Sequence, residues 1–207
     1  MEINFNQLAV TDYGSVLGRE HFMDYKVKPL WSNMPAIHGT AYTVQLASGD
    51  NLMLHAAIYE APKGSIIVVD GVDARYAVAG GNVCAVAKER GIKGFIIDGV
   101  IRDLGEIQSM QFPVYAQGVF PVPGAKSVFT ELAQPITCGG VKVNTGDMIV
   151  ADIEGIAVFP KASMVSIYEK AFLKAEKEAQ LGLDKWRDNH QAKIKEALET
   201  AIHHASD

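Results

Sequence analysis

An α/β domain followed by a helical C-terminal extension is the fold this sequence predicts, on three observations. Two short apolar runs, Ile66 to Val69 and Gly94 to Ile97, lack alternation and so read as strands buried on both faces. Between them lies a segment rich in alanine, Val83 to Arg90, entered through Gly80-Gly81 and stopped by Gly91. After Pro160 apolar residues recur at three- and four-residue spacing as far as Ser206. Strand, helix and strand in that order make a parallel crossover unit. The change of pattern near Pro160 divides the chain into an α/β domain over 1–160 and a helical extension over 161–207.

The flanking text fits that frame. Asn6 to Val10 has the makings of a helix start, Gly14 and Gly18 interrupt it, and Lys28 to Trp31 is extended. Ile37 to Leu46 alternates as a strand, and Asp50 or Asn51 caps a helix over Leu52 to Glu60. His55 on that helix reads as a hydrogen-bonded structural residue. The second buried strand is broken by Asp98-Gly99, a short helix covers Gly105 to Gln108, and Phe112 to Ala116 is an edge segment because Pro113 donates no ladder bond. Val141 to Val143, Met148 to Ala151 and Ile156 to Phe159 follow a Gly/Pro-rich loop as three strands joined by tight turns. In the extension, Val165, Tyr168, Phe172 and Ala175 form an apolar face and Gly182 breaks the helix. The thinner stripe of Trp186, His190, Ile194, Leu198 and Ile202 suits an oligomer contact, and His203-His204 reads as a solvated end.

Composition narrows the function. A chain of 207 residues with 48% hydrophobic content builds a sizeable core, and its net charge of −5 with no basic run gives no footprint for nucleic acid. No apolar run approaches membrane-spanning length, and the N-terminus lacks the pattern of a signal peptide, so the expected location is cytoplasmic. Cys84 and Cys138 have no CxxC spacing and are expected reduced and packed. There is no Walker lysine loop, GxSxG elbow, dinucleotide fingerprint or glycine-rich methyl-donor loop.

The chemistry collects around the crossover unit. Gly80-Gly81 opens a helix whose unpaired N–H groups and dipole favour an anion. Arg102, at the same edge of the parallel pair, offers a planar fork to a carboxylate, and Asp103 is a hard oxygen donor suited to a divalent cation.

With its pieces MDYKVKPLW, SGDNLMLHAAIY, IIVVDG, AGGNVCAVAKERGIKGFIIDGVIRD and CGGVKVNTGDMIVADIEGIAVFP, the chain from about Thr11 to Pro160 resembles the class II pyruvate aldolases of the 4-hydroxy-4-methyl-2-oxoglutarate type. These share a fold with the regulator of RNase E activity A. The family's glycine stands 22 positions before its arginine, as Gly80 does before Arg102. The resemblance implies a swivelling β/β/α single domain, assembled as a homotrimer or homohexamer. It implies that the backbone amides of Gly80, Gly81, Asn82 and Val83, with the Arg102 side chain, hold the pyruvyl carboxylate of a small 2-oxo acid. Arg102 is then the catalytic residue, and Asp103 the ligand of a divalent metal, Mg²⁺ or Mn²⁺.

The implied activity is retro-aldol cleavage of a 4-hydroxy-2-oxo acid, oxaloacetate decarboxylation, or both, through a metal-stabilised pyruvate enolate. No residue stands out as the base. Family enzymes often carry Asp or Glu directly after the helix-opening glycine; here Gly81 is followed by Asn82, whose amide can bond a coordinated water. The alternative is a non-enzymatic, protein-binding regulator like the ribonuclease-regulating relative. That relative lacks the metal-binding acid after its arginine, so Asp103 favours the enzyme.

Overall fold

The computed structural model describes residues 3–206. After a 3₁₀ turn at Phe5–Gln7 come α1 (Val10–Tyr13), a second 3₁₀ turn (Arg19–His21), β1 (Lys28–Pro29) and β2 (Ile37–Gln45). Then α2 (Leu52–Glu60), β3 (Ile66–Asp70), α3 (Gly81–Glu89), β4 (Gly94–Ile101), α4 (Leu104–Ser109) and β5 (Val114–Val119) alternate. The strands β6 (Ile136–Cys138), β7 (Val141–Val143), β8 (Met148–Asp152) and β9 (Gly155–Phe159) follow, and a third 3₁₀ turn (Lys161–Ser163) leads into α5 (Met164–Leu181) and α6 (Leu183–Ser206).

A seven-stranded sheet runs in the order β1-β5-β4-β3-β2-β8-β9. Its centre, β2 to β5, is parallel and consecutive. With right-handed crossovers, consecutive order sends every connecting helix to one face. That is what the core records: Val44, Val69, Ile97 and Ile101 pack with Leu54 and Ile58 of α2, Cys84 and Ala87 of α3 and Ile107 of α4. The opposite face, through Ala41, Ile66, Val68 and Ile96, packs on Ile136, Val143, Ile149 and Val158 of the later strands. Helices, parallel strands and a second β layer give the β/β/α arrangement. β2 joins the two β layers, because Ile37 to Thr40 pair antiparallel with β8 and Ala41 to Gln45 pair parallel with β3.

Four expectations change. β4 is not broken at Asp98-Gly99. It continues to Ile101: on the β3 side the ladder runs on, with the Gly71 N–H bonded to the Asp98 carbonyl at 3.1 Å, and on the β5 side the register shifts between Ile97 and Val100. β5 is not an edge, since β1 pairs with it and Pro113 stands before the strand, giving only its carbonyl to Phe95. Of the three strands expected in sequence, β8 and β9 form a hairpin, while β7 pairs with β6, a strand the sequence reading left out. The N-terminal helix expected from Asn6 is split into the Phe5–Gln7 turn and the short α1.

In the extension, Met164, Ile167, Tyr168, Ala171, Phe172 and Ala175 of α5 pack against Phe5, Leu8, Tyr13 and Phe159, whereas Val165 is exposed. Gly182, at φ 68°, separates α5 from α6. Trp186, Ile194, Leu198 and Ile202 of α6 are exposed, and His190 stacks on Trp186 at 4.7 Å. The side chains of His203 and His204 lie outside the described residues. Both cysteines are buried and unbridged. No helix among the described residues is long and apolar enough to cross a membrane.

Candidate active site

Four backbone segments lie side by side beyond the carboxyl end of the parallel strands. Arg102 N–H donates to the Ala79 carbonyl and Val78 N–H to Val100, joining the end of β4 to the approach of α3. Ala77 N–H donates to Val122 and accepts, through its carbonyl, from Gly124 N–H. Ala125 N–H donates to Gly49 and Asn51 N–H to Ala125, which ties in the start of α2. This ladder brings Asn51, His55, Gly80, Asn82, Val83, Arg102, Asp103 and Lys126 to one cleft of about 60 Å³.

Asp50 locks the far side of the ladder. Its Oδ1 accepts from Leu52 N–H at 2.8 Å, and its Oδ2 accepts from the Ser127 N–H, the Ser127 hydroxyl and the Val128 N–H at 2.7, 3.0 and 3.2 Å. Burial opposes its charge, but these bonds outweigh burial and hold the carboxyl below the usual carboxylate range. Lys126 is thereby fixed one residue from an anchored turn.

Asp103 sits at φ 60°, ψ 38°, a left-handed conformation uncommon outside glycine and tolerated by Asp. Its Oδ2 accepts the Gly81 N–H at 3.1 Å and lies 3.6 Å from Arg102 Nε. Glycine at 80 is required by this contact: a β-carbon there would stand 2.6 Å from Asp103 Oδ2 and 3.1 Å from Arg102 Cγ and Nε. Since Cys84 N–H already bonds the Gly80 carbonyl and Gly81 N–H serves Asp103, the amides of Asn82 and Val83 are those that the start of α3 leaves for an anion.

Among the predicted residues, Gly80, Asn82, Val83, Arg102 and Asp103 line the cleft, and Gly81 lies buried behind it. Sequence reasoning missed Asn51 and Lys126 and took His55 for a hydrogen-bonded structural residue. Among the described residues the His55 imidazole has no hydrogen-bond partner, and burial, reinforced by the Lys126 charge, pushes its pKa below the ordinary histidine value. Asn51 is 3% exposed and its Oδ1 has no hydrogen-bond partner among the described residues. Asn51 and His55 stand four residues apart, one helical turn on a shared face, and that spacing is the signal that links them. Cys84 is no nucleophile, because burial first and Asp103 second push its thiol well up.

The donor chemistry fits a hard cation that keeps most of its water. Asp103 offers a carboxylate to the cleft, and no group of three or more His, Cys, Asp or Glu converges among the described residues. Mg²⁺ and Mn²⁺ are commonly held this way, by one or two carboxylates with water and substrate oxygens.

Layering, partner-switching β2 and a cleft beyond the carboxyl ends of the strands define the class as a swivelling β/β/α domain. The chain belongs to the RraA-like family, Aldolase/RraA, whose family model matches residues 9–158. A Halalkalibacterium halodurans protein named "Putative 4-hydroxy-4-methyl-2-oxoglutarate aldolase" is 38% identical over 179 residues, 86% of this chain and 83% of that protein. The solved structure of the RNA-processing inhibitor RraA from Thermus thermophilis superposes with a TM-score of 0.67 at 25% identity, covering 74% of this chain and 93% of that one. A protein from Pseudomonas syringae pv. tomato shares the fold, with a TM-score of 0.77 at 21% identity over 92% of this chain and 91% of its own.

Proposed function

We propose that this protein is a divalent-metal-dependent lyase that cleaves a 4-hydroxy-2-oxo acid, with oxaloacetate decarboxylation at the same site. The observation that carries this reading is the meeting of Arg102, Asp103 and the start of α3 in one cleft. The Arg102 guanidinium and the free amides of Asn82 and Val83 hold the carboxylate next to the 2-oxo group. A divalent cation on Asp103 supplies, when bound, Lewis-acid polarisation of that 2-oxo group. Arg102 adds positive charge where the oxygen becomes anionic. Retro-aldol cleavage and loss of CO₂ leave the same three-carbon enolate, so one arrangement of residues serves both. Lys126, a second cation in the cleft, suits the distal carboxylate of a dicarboxylic substrate such as 4-hydroxy-4-methyl-2-oxoglutarate or oxaloacetate.

The test is pyruvate release from oxaloacetate, 4-hydroxy-4-methyl-2-oxoglutarate and a monocarboxylic 4-hydroxy-2-oxo acid, after chelation and after Mg²⁺ or Mn²⁺ is returned. The expected result is metal-dependent release, greatest with the dicarboxylates. Full activity in excess chelator, with metal shown to be absent, removes the cation from the mechanism. No release from any acid with metal present points instead to a protein-binding regulator.

His55 accepts the substrate hydroxyl proton at a ring nitrogen, which requires the neutral imidazole. Because its pKa is lowered, the neutral form persists below the ordinary histidine range, and retro-aldol turnover falls only as the pH drops through that lowered value. Lys126→Met removes the neighbouring charge, so the acidic limb of kcat moves to higher pH, while His55→Asn removes the limb. A limb that is unchanged in both variants assigns the proton transfer elsewhere.

The protein assembles, on this reading, as a homotrimer or homohexamer, with the exposed stripe of α6 against a neighbouring copy. Truncation after Ala179 then lowers the mass seen by light scattering at micromolar concentration. A monomeric full-length chain under those conditions ends this proposal.

A further inference from the structure

We propose that residues 71–76 form a strained strap that closes the cleft, latched through Asp73 and Ser48 to the turn that begins α2. The strap is read from its own bonds, and only the ligand that closes it rests on the lyase reading.

The strap leaves the carboxyl end of β3 through a turn that its sequence does not favour. Asp73 N–H bonds the Gly71 carbonyl at 2.6 Å across Val72, whose φ is 63°. A bond between residues two apart around a positive φ is the rare, strained form of the γ-turn, and its central residue here is β-branched. No burial offsets this conformation, since Val72 is 53% exposed. Strain of this kind persists where the surrounding bonds over-determine it.

Those bonds come from both sides. Asp70 Oδ1 accepts the Val72 N–H at 3.0 Å. Asp73 Oδ1 accepts the Arg75 N–H at 2.9 Å, and its Oδ2 accepts the Ser48 hydroxyl and, at 3.3 Å, Arg75 Nη2. Arg75 Nη2 also donates to Ser48 Oγ at 3.0 Å. The Ser48 bond, ahead of those from Arg75, holds the Asp73 carboxyl below the usual carboxylate range, so the latch keeps its charge at neutral pH.

The latch joins two walls of the cleft. Ala77 and Val78, directly after the strap, line one wall, while Asn51 and His55, just after Ser48 in the chain, line another. Ser48, Val72, Asp73 and Arg75 line no part of it and are therefore positioning residues. Latched, the strap holds the walls together; released, Val72 relaxes and they part. Strain set against a latch makes a two-state element, and a ligand that touches both walls biases it toward the closed form.

The experiment is limited trypsin digestion of the full-length protein on the parent, Ser48→Ala, Val72→Gly and the double variant Ser48→Ala/Val72→Gly. Mass spectrometry follows the cut after Arg75, and circular dichroism checks that each protein is folded. The Arg75 side chain is 74% exposed, but cleavage needs an extended backbone, so the rate tracks the open population. Ser48→Ala removes a bond to a charged group and is expected to speed the cut by roughly 10-fold. Val72→Gly relieves the strain and is expected to slow it by roughly 5-fold, and in the double variant the two effects offset. Oxalate with Mn²⁺ is expected to slow the parent's cut by roughly 10-fold, while cuts in α6, which lines no part of the cleft, keep their rate. A parent-like rate in Ser48→Ala, or a rate in Val72→Gly no slower than the parent, overturns the strap. Oxalate and Mn²⁺ that calorimetry shows to be bound, yet that leave the Arg75 cut unslowed, overturn its closing of the cleft and leave the lyase reading standing. Oxalate that does not bind in the presence of Mn²⁺ overturns the lyase reading, and the variant rates then decide the strap by themselves.

Discussion

Asp103→Asn lowers turnover of oxaloacetate by at least about 10²-fold and weakens Mn²⁺ binding in parallel, with the fold intact. The substitution is informative because asparagine can do both structural tasks of the aspartate. Its amide oxygen can accept the Gly81 N–H that Asp103 Oδ2 now accepts at 3.1 Å, and asparagine tolerates the left-handed backbone at φ 60°. What it cannot supply is the anionic oxygen that a hard cation prefers. Excess metal restores part of the rate. The measurement is Mn²⁺ calorimetry beside pyruvate release and thermal unfolding; unchanged metal affinity in the folded variant would falsify Asp103 as the ligand. An ordinary exposed Arg–Asp pair predicts something different, a variant within about 1 kcal/mol of the parent in stability and unaltered in rate.

The parts of the fold legible in the sequence are those fixed by local pattern. Ile66 to Val69 has no polar face to offer, so only a central strand suits it, and it lies between β2 and β4 with every residue buried. The glycine pair and the alanine-rich run locate α3 to within two residues at its start. Where the reading failed, a distant partner decided. The strand β4 runs through the expected break at Asp98-Gly99 because its pairing with β3 continues there, Gly71 N–H bonding the Asp98 carbonyl. The missing β6 did leave a local sign: Gly139 and Gly140, at φ 54° and 75°, make the two-residue turn of a hairpin, and Gly-Gly between short apolar runs is a known form of that turn.

The cleft divides in the same way. Gly80, Arg102 and Asp103 belong to one crossover unit, so the connection that joins two parallel strands also joins them. Lys126 reaches the cleft through the Asp50 bonds to Ser127 and Val128 and through the pairing of Ala125 with Gly49 and Asn51. Those contacts bridge about 75 residues, from 50 to 125–128, and have no periodicity that a single sequence displays. His55 illustrates a further limit. A lone histidine on a largely apolar helix reads as structural, whereas its position one turn from the helix start brings it to the cleft at the carboxyl edge of the sheet.

Arg102→Lys separates anion recognition from cation binding. The backbone of residue 102 is fixed by its N–H bond to Ala79 at 2.9 Å, and the guanidinium lies beside Asp103 with its side chain 43% exposed, so a lysine fits without disturbing the ladder. Lysine keeps the charge but replaces a planar fork, which meets a carboxylate through two parallel N–H bonds, with a compact and strongly hydrated ammonium. The expected outcome is Mn²⁺ affinity within a few-fold of the parent, weaker binding of oxalate as an enolate mimic, and turnover reduced by roughly 10²-fold. Calorimetric titration of metal first and oxalate second resolves the order of loss. If Arg102 only neutralises Asp103, lysine should serve nearly as well, and oxalate affinity should stay at the parent value. If Arg102 instead holds Asp103 in place for the cation, Mn²⁺ and oxalate affinities should fall together, and the division of labour between the two residues would be wrong.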